Sequence, residues 1–228
     1  MKFRFLVAAA LLAVACTGQA AVVYGSNLVV NGDAEAGTSG WTGYAGYGMF
    51  QSVHYGSSWV LPTQPGPADR GAGMFSGLGQ YAVGYQTLDL GTAMAQAASY
   101  SLTGWLGGWA DQDDNALFYV QFLDEFDNEM GSAALGPVMA RDRANQTGLQ
   151  YREDAGLVPV GTRKLSFWLS MERLVSGDND GYADNLSFVL RAPVNEVPEP
   201  GMLSTFLLGL GIAGWARGRR NKNRRPGR

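Results

Sequence analysis

Short runs in which apolar and polar residues alternate recur along the middle of the chain, and no long stripe repeats with the 3.6-residue period of a helix. Within Leu117–Asp124, Phe118, Val120 and Phe122 share one face. Within Lys164–Met171, Leu165, Phe167, Leu169 and Met171 point one way, and Ser166, Trp168 and Ser170 the other. Leu186, Phe188 and Leu190 repeat the pattern in Asn185–Leu190. A period of two is what a half-buried strand requires, because successive side chains leave opposite faces. Further strands are expected over Tyr24–Val30, Tyr81–Leu90, Tyr100–Leu106 and Ser132–Ala140. Asp127-Asn128-Glu129-Met130-Gly131 and Gly177-Asp178-Asn179-Asp180-Gly181 carry turn residues. Many short strands between polar turns predict an all-β fold, an antiparallel β-sandwich rather than βαβ units.

The two ends follow a different pattern. Lys2 and Arg4 precede an apolar run, Phe5–Ala15, and the small-residue stretch Thr17-Gly18-Gln19-Ala20, which reads as a signal peptide cut after Ala20. Cys16 follows Leu12-Ala13-Val14-Ala15, so a lipoprotein signal is an alternative, with the leucine four residues before the cysteine rather than three. At the other end Val197-Pro198-Glu199-Pro200 breaks regular structure. The 16 residues Gly201–Ala216 carry no charge, and Arg217–Arg228 holds seven cations and no anion. The apolar stretch is short beside the roughly 20 residues that match the hydrocarbon thickness, and the basic end belongs in the cytoplasm. Motif, short transmembrane helix and basic tail, in that order, resemble the PEP-CTERM sorting signal of exported Gram-negative bacterial proteins. The resemblance implies a membrane-embedded exosortase that cuts at Pro198, Glu199 and Pro200. The chain would then be anchored only transiently before reaching the cell surface or the medium. A plain C-terminal tail anchor is the alternative. The expected organisation is a signal peptide over 1–20, a sandwich over 21–191, a linker over 192–197 and a sorting signal over 198–228.

Removing both signals changes the electrostatics. Residues 21–200 keep 8 of the 17 cations and all 20 acids, a net charge of −12. Phosphate binding needs a basic face, so nucleic acid is excluded as a partner. A soluble surface protein or a divalent-cation binder suits that charge. Cys16 is the only cysteine, so no disulfide forms once the signal peptide is gone.

Two segments carry a second resemblance. Asn27-Leu28-Val29-Val30-Asn31-Gly32-Asp33-Ala34-Glu35, with Gly40-Trp41 after it, and Gly181-Tyr182-Ala183-Asp184-Asn185-Leu186-Ser187-Phe188 are similar to the opening and closing strands of galactose-binding and carbohydrate-binding-module jelly rolls. Ala34 stands where such domains usually carry an aromatic. The resemblance implies a structural Ca²⁺ where first and last strands meet, with Glu35 and Asp184 as ligands and Asn31 or Asp33 nearby. The alternative is that Glu35 and Asp184 only hydrogen-bond loop backbone. Asp178-Asn179-Asp180-Gly181 also suits an ion, but a turn needs the same residues.

A sugar site needs flat rings to stack on sugar faces and polar groups to meet hydroxyls. Trp41, Tyr44, Trp105, Trp109 and Trp168 are the candidates, with core packing as the alternative for each. His54 is the only histidine and has no nucleophile motif around it. The leading expectation is a non-catalytic cell-surface or extracellular-matrix protein whose jelly roll binds polysaccharide, the cell's own exopolysaccharide first. A purely structural envelope protein without a glycan site is the alternative, and a secreted hydrolase comes third. Mass spectrometry of the exported form should place its C-terminus between Val197 and Pro200; an intact Arg228 terminus would rule out processing at the motif.

Overall fold

The computed structural model describes residues 23–56 and 58–192. The expected signal peptide, the sorting tail and all but the first linker residue lie outside the described residues. The described chain forms two five-stranded antiparallel sheets packed as a sandwich. The strands are β1 (Thr42–Gly43), β2 (Gln51–His54), β3 (Gly73–Ser76), β4 (Tyr81–Asp89), β5 (Ala98–Gly108), β6 (Asn115–Leu123), β7 (Glu129–Leu135), β8 (Gly148–Val158), β9 (Lys164–Glu172) and β10 (Tyr182–Arg191). The first sheet runs β1-β4-β9-β6-β7 and the second β2-β3-β10-β5-β8.

Alternation decides which side chains meet between the sheets. Leu165, Phe167, Leu169 and Met171 from β9, Phe118, Val120 and Phe122 from β6, and Leu186, Phe188 and Leu190 from β10 are all buried, as their spacing predicts. Phe167 meets Phe188 at 5.4 Å between ring centroids, and Tyr100 stacks on Phe188 at 5.3 Å. Each such side chain contributes about 1.5–3 kcal/mol by leaving water. The buried hydroxyl of Tyr100 is satisfied by Asp154 at 2.8 Å.

Three expectations change. Tyr24–Val30 forms no strand; it meets β10 at one isolated bridge, Asn27 to Val189, with Gly25 N donating to Leu190 O at 2.8 Å and Leu28 N to Phe188 O at 2.9 Å. The side chain of Asn27 adds to these bonds: Oδ1 accepts from the amides of Val29 and Phe188, both at 3.0 Å, and Nδ2 donates to Leu186 O at 3.1 Å. The strand expected to reach Ala140 ends at Leu135, because Gly136 takes a positive φ of 91° and Pro137 has no amide to give the ladder. A short 3₁₀ turn follows, Ala140–Arg143. The third change is β8, an 11-residue edge strand paired with β5 along its length.

β10 is interrupted by a bulge. Its pairing to β5 slips between Asp184 and Ser187, and Asn185 adopts a positive φ of 48°. Beside the bulge the Leu186 amide donates to Gly32 O at 2.9 Å, and its carbonyl accepts from Asn27. A methyl group at residue 32 would lie 2.1 Å from the Leu186 carbonyl oxygen, so this approach admits only glycine. Gly32→Ala should therefore destabilise the domain by about 1–3 kcal/mol, the usual cost of overpacking. In a domain of this size each kcal/mol moves Tm by about 2–4 °C. A thermal melt matching the unmodified protein would show that the approach is not tight.

Candidate functional site

The pairings of β4 and β6 with β9 set the side chains of the first sheet's outer face in rows. Tyr81, Glu172 and Asn115 form one row; Val83, Ser170 and Leu117 the next; Tyr85, Trp168 and Tyr119 the third; Thr87, Ser166 and Gln121 the fourth. In the third row Tyr85 stacks on Trp168 at 4.9 Å, and Tyr119 lies parallel to Trp168 at 6.0 Å on its other side.

The segment after β1 brings more rings over this face. The Tyr44 amide donates to Val83 O at 3.1 Å, Gly48 N donates to Tyr81 O at 3.1 Å and Val83 N donates to Gly48 O at 2.8 Å. These bonds hold Tyr44 edge-on to Trp168 at 5.2 Å and stacked on Tyr47 at 5.7 Å, with Tyr47 edge-on to Tyr81 at 6.4 Å. Pro137 and Met139, from the segment after β7, and Leu174, just beyond β9, close the other side. Between them lies an open groove of about 620 Å³.

The groove has an aromatic floor and a polar end. Ser170, Asn115 and Glu172 supply hydroxyl, amide and carboxylate groups. Hydrogen bonding to Glu172 raises the pKa of the Tyr81 hydroxyl, and burial raises that of Tyr119. Both therefore remain neutral hydroxyls. Trp168 Nε1 is buried and meets no acceptor within the described residues, which leaves one donor unsatisfied beneath the rings.

Of the five rings read from the sequence, the structure brings Tyr44 and Trp168 together here. Trp41 is corrected to a core residue: it is 8 % exposed and packs edge-on against Phe50 at 5.4 Å and Phe75 at 5.8 Å. Trp105 and Trp109 pack on a small cluster of Val60, Met74, Leu149 and Tyr182 belonging to the second sheet, away from the groove. Tyr81, Tyr85 and Tyr119 were absent from the sequence-based group. The alternation that sends Phe118 and Val120 inward sends Tyr119 outward, so a signal for it existed.

The four residues expected around an ion divide between two places. Asn31 and Asp33 line a polar cleft of about 310 Å³ beside Asn185 and Ser187. The Asn31 side chain also closes its own loop, donating to Gly37 O and Ser39 O and accepting from Ala36 N. Glu35 Oε1 accepts from the amides of Ala72 at 2.7 Å and Gly73 at 2.8 Å. Asp184 is fully buried; its Oδ2 accepts from the Tyr55 hydroxyl at 2.5 Å and its Oδ1 from Asn185 N at 2.7 Å. Burial, with the charges of Glu35 and Asp33 adding to it, raises the Asp184 pKa from 3.8 to about 7, against the lowering by its hydrogen bonds. Among the described residues no three His, Cys, Asp or Glu side chains converge at metal-ligand spacing. His54 is exposed at the end of β2, and its recorded hydrogen bond is to Ala72 O at 3.3 Å.

Comparison with known proteins completes the picture. Residues 196–220 match the PEP-CTERM protein-sorting motif. The chain therefore carries the export and sorting signal that its tail predicted. No curated protein matches it. Among solved structures it is similar to the enzymatically active domain of bacteriophage CBA120 tailspike protein 4, at 17% identity and a TM-score of 0.49, over 72% of this chain and 21% of that one. A family 16 carbohydrate binding module is 24% identical with a TM-score of 0.47, over 72% of this chain and 99% of the other. The CBM22-1 xylan-binding domain from Paenibacillus barcinonensis is 14% identical with a TM-score of 0.43, over 75% and 99%. None of these three reaches a TM-score of 0.5, so what the groove binds rests on the groove's own residues.

Proposed function

We propose that this is a non-catalytic exported protein that binds polysaccharide in the aromatic groove of its first sheet. An exosortase would process it at Pro198-Glu199-Pro200 and leave it at the surface of a Gram-negative cell, with the cell's own exopolysaccharide as the first partner to test. The observation that carries the reading is the ring assembly of Tyr44, Tyr47, Tyr81, Tyr119 and Trp168 around one groove, with Tyr85 stacked on Trp168 beside it. Rings offer apolar area to sugar faces, and the hydroxyl, amide and carboxylate groups at the polar end meet hydroxyls. A groove open along the sheet suits a chain better than a compact small molecule.

Affinity should be modest, since sugar hydroxyls exchange water for protein without large gain. Tyr44 and Tyr47 are 45% and 52% exposed and carry little of the fold. Changing either to alanine should weaken glycan binding by about ten-fold, about 1.4 kcal/mol, with the melt nearly unchanged. Trp41→Ala should do the reverse, costing about 3–5 kcal/mol of stability. A glycan array that detects no binding by the intact protein would favour the protein-contact reading instead.

Calcium is a separate part of the proposal. Its support is the buried Asp184 carboxyl, whose pKa is raised by burial first and by the charges of Glu35 and Asp33 in addition, a cost that a cation would relieve. Backbone carbonyls would have to complete the shell, because Glu35 Oε1 and both Asp184 oxygens already accept hydrogen bonds. Without metal, an acid whose folded pKa is raised stabilises the fold at low pH, and that contribution is lost as pH rises from about 4 through about 7. In chelator, Tm should fall across that window, and Asp184→Asn should flatten the decline. Added Ca²⁺ should restore Tm at pH 7 and above; identical melts with Ca²⁺ and chelator there would remove the ion.

A further inference from the structure

The charge of the groove says which polysaccharides it takes. This inference rests on the glycan reading above. Among the residues lining the groove, Glu172 is the only carboxylate, and no lysine, arginine or histidine is present. The sheet does carry cations, but at its far end and already paired. Arg163 bonds Asp89 at 2.6 Å and Lys164 bonds Asp127 at 2.6 Å, in the last row of β9 pairings. Arg173, next to Glu172 in the chain, donates from Nη1 to Gly177 O at 2.7 Å and lines a different cavity. Arg143 is buried, and its guanidinium donates to the carbonyls of Gly108, Ala110, Gln112 and Gln146.

We infer that the groove selects uncharged polysaccharide and that Glu172 is the specificity-determining residue that turns away chains bearing carboxylates or sulfates. A ligand anion in the groove would meet a like charge at the polar end and no counter-charge to replace its lost water. The net −12 of residues 21–200 repels it at longer range as well. An uncharged chain meets neither obstacle. Glu172 still serves it as a hydrogen-bond acceptor, beside the Tyr81 hydroxyl that faces it across the β4–β9 pair.

The test measures binding of the exported protein to neutral polysaccharides and to the same chains oxidised at their primary hydroxyls to carboxylates. The neutral chain should bind at least ten-fold more tightly at low salt. That gap should narrow as ionic strength rises, since charges separated by more than about 10 Å are screened at 0.1 M. E172Q keeps an acceptor and removes the charge. Whatever it does to the neutral affinity, it should shrink the gap between the two chains several-fold. Equal or tighter binding of the carboxylated chain at low salt would overturn the inference while leaving the glycan reading intact. A gap unchanged in E172Q and insensitive to salt would overturn it too, since the preference would then come from lost hydroxyls rather than charge. Absence of binding by either class would remove the glycan reading itself, and the inference with it.

Discussion

The edge of β10 that faces the chain before β1 is the constraint on which the rest of the domain depends. β3 pairs only with Tyr182 and Ala183, so beyond them this edge is open, and Leu190 O and Phe188 O accept from Gly25 N and Leu28 N. Beside the bulge between Asp184 and Ser187, both polar groups of Leu186 point the same way. Gly32 and Asn27 take them, so the first described segment and the last strand are joined by backbone-quality hydrogen bonds in a chain without disulfides. The asparagines of that segment serve it through side-chain hydrogen bonds: Asn27 spans to β10, and Asn31 closes the loop that leads to Trp41. Glu35 then extends the same clamp to the amides of Ala72 and Gly73, at the start of β3.

What the sequence made legible, and what it did not, follows from this architecture. β6, β9 and β10 were readable because one face of each meets the core and the other does not, which is the condition for a period of two. β8 was not, since its pattern is inverted: Gln150, Arg152 and Asp154 stand on the half-buried face, while Tyr151, Ala155 and Leu157 stand on the exposed one with Glu153, and only its ends, Gly148, Leu149 and Val158, are buried. It holds its place through backbone pairing to β5, which leaves no trace in residue type. The two- and four-residue strands β1, β2 and β3 are too short for a period to show. The groove was partly visible for the same reasons. The outward parity of Trp168 was plain, but its place between Tyr85 and Tyr119 depends on the register of three strands distant in sequence. Trp41 looked like a loop ring because glycines surround it; the fold turns it inward to fill the end of the sandwich.

The two outer faces are treated differently, and this places the groove. The second sheet is covered by the segment after β2. Tyr55 bonds Asp184, Arg70 sits over the Tyr55 ring at 5.0 Å, and Leu149 N donates to Pro65 O at 2.9 Å. Val60 and Trp59 come down on Met74, Leu149 and Tyr182 to make a small core of their own. Asp184 is thus buried by the cover, which is why its proton is held so far above the ordinary carboxylate range. Among the described residues the first sheet is flanked by the short Tyr44–Gly48 segment on one side and by Pro137, Met139 and Leu174 on the other, so its central strands stay open.

An open sheet face must carry apolar area without inviting unspecific association, and the distribution of aromatic types shows how this is managed. Phe50, Phe75, Phe118, Phe122, Phe167 and Phe188 are all buried; Phe126, in the turn after β6, is the described exception. The rings of the groove are tyrosines, apart from Trp168. Tyrosine differs from phenylalanine by one hydroxyl. Inside the domain that hydroxyl needs a dedicated partner, as Tyr182 has in Asp180 at 2.7 Å. On the open sheet solvent reaches the groove hydroxyls, and Tyr81 bonds Glu172 as well. A phenylalanine-lined groove of this size would be a sticky patch. The tyrosine-lined one keeps the flat apolar faces and adds polar edges, which hold the open face in water.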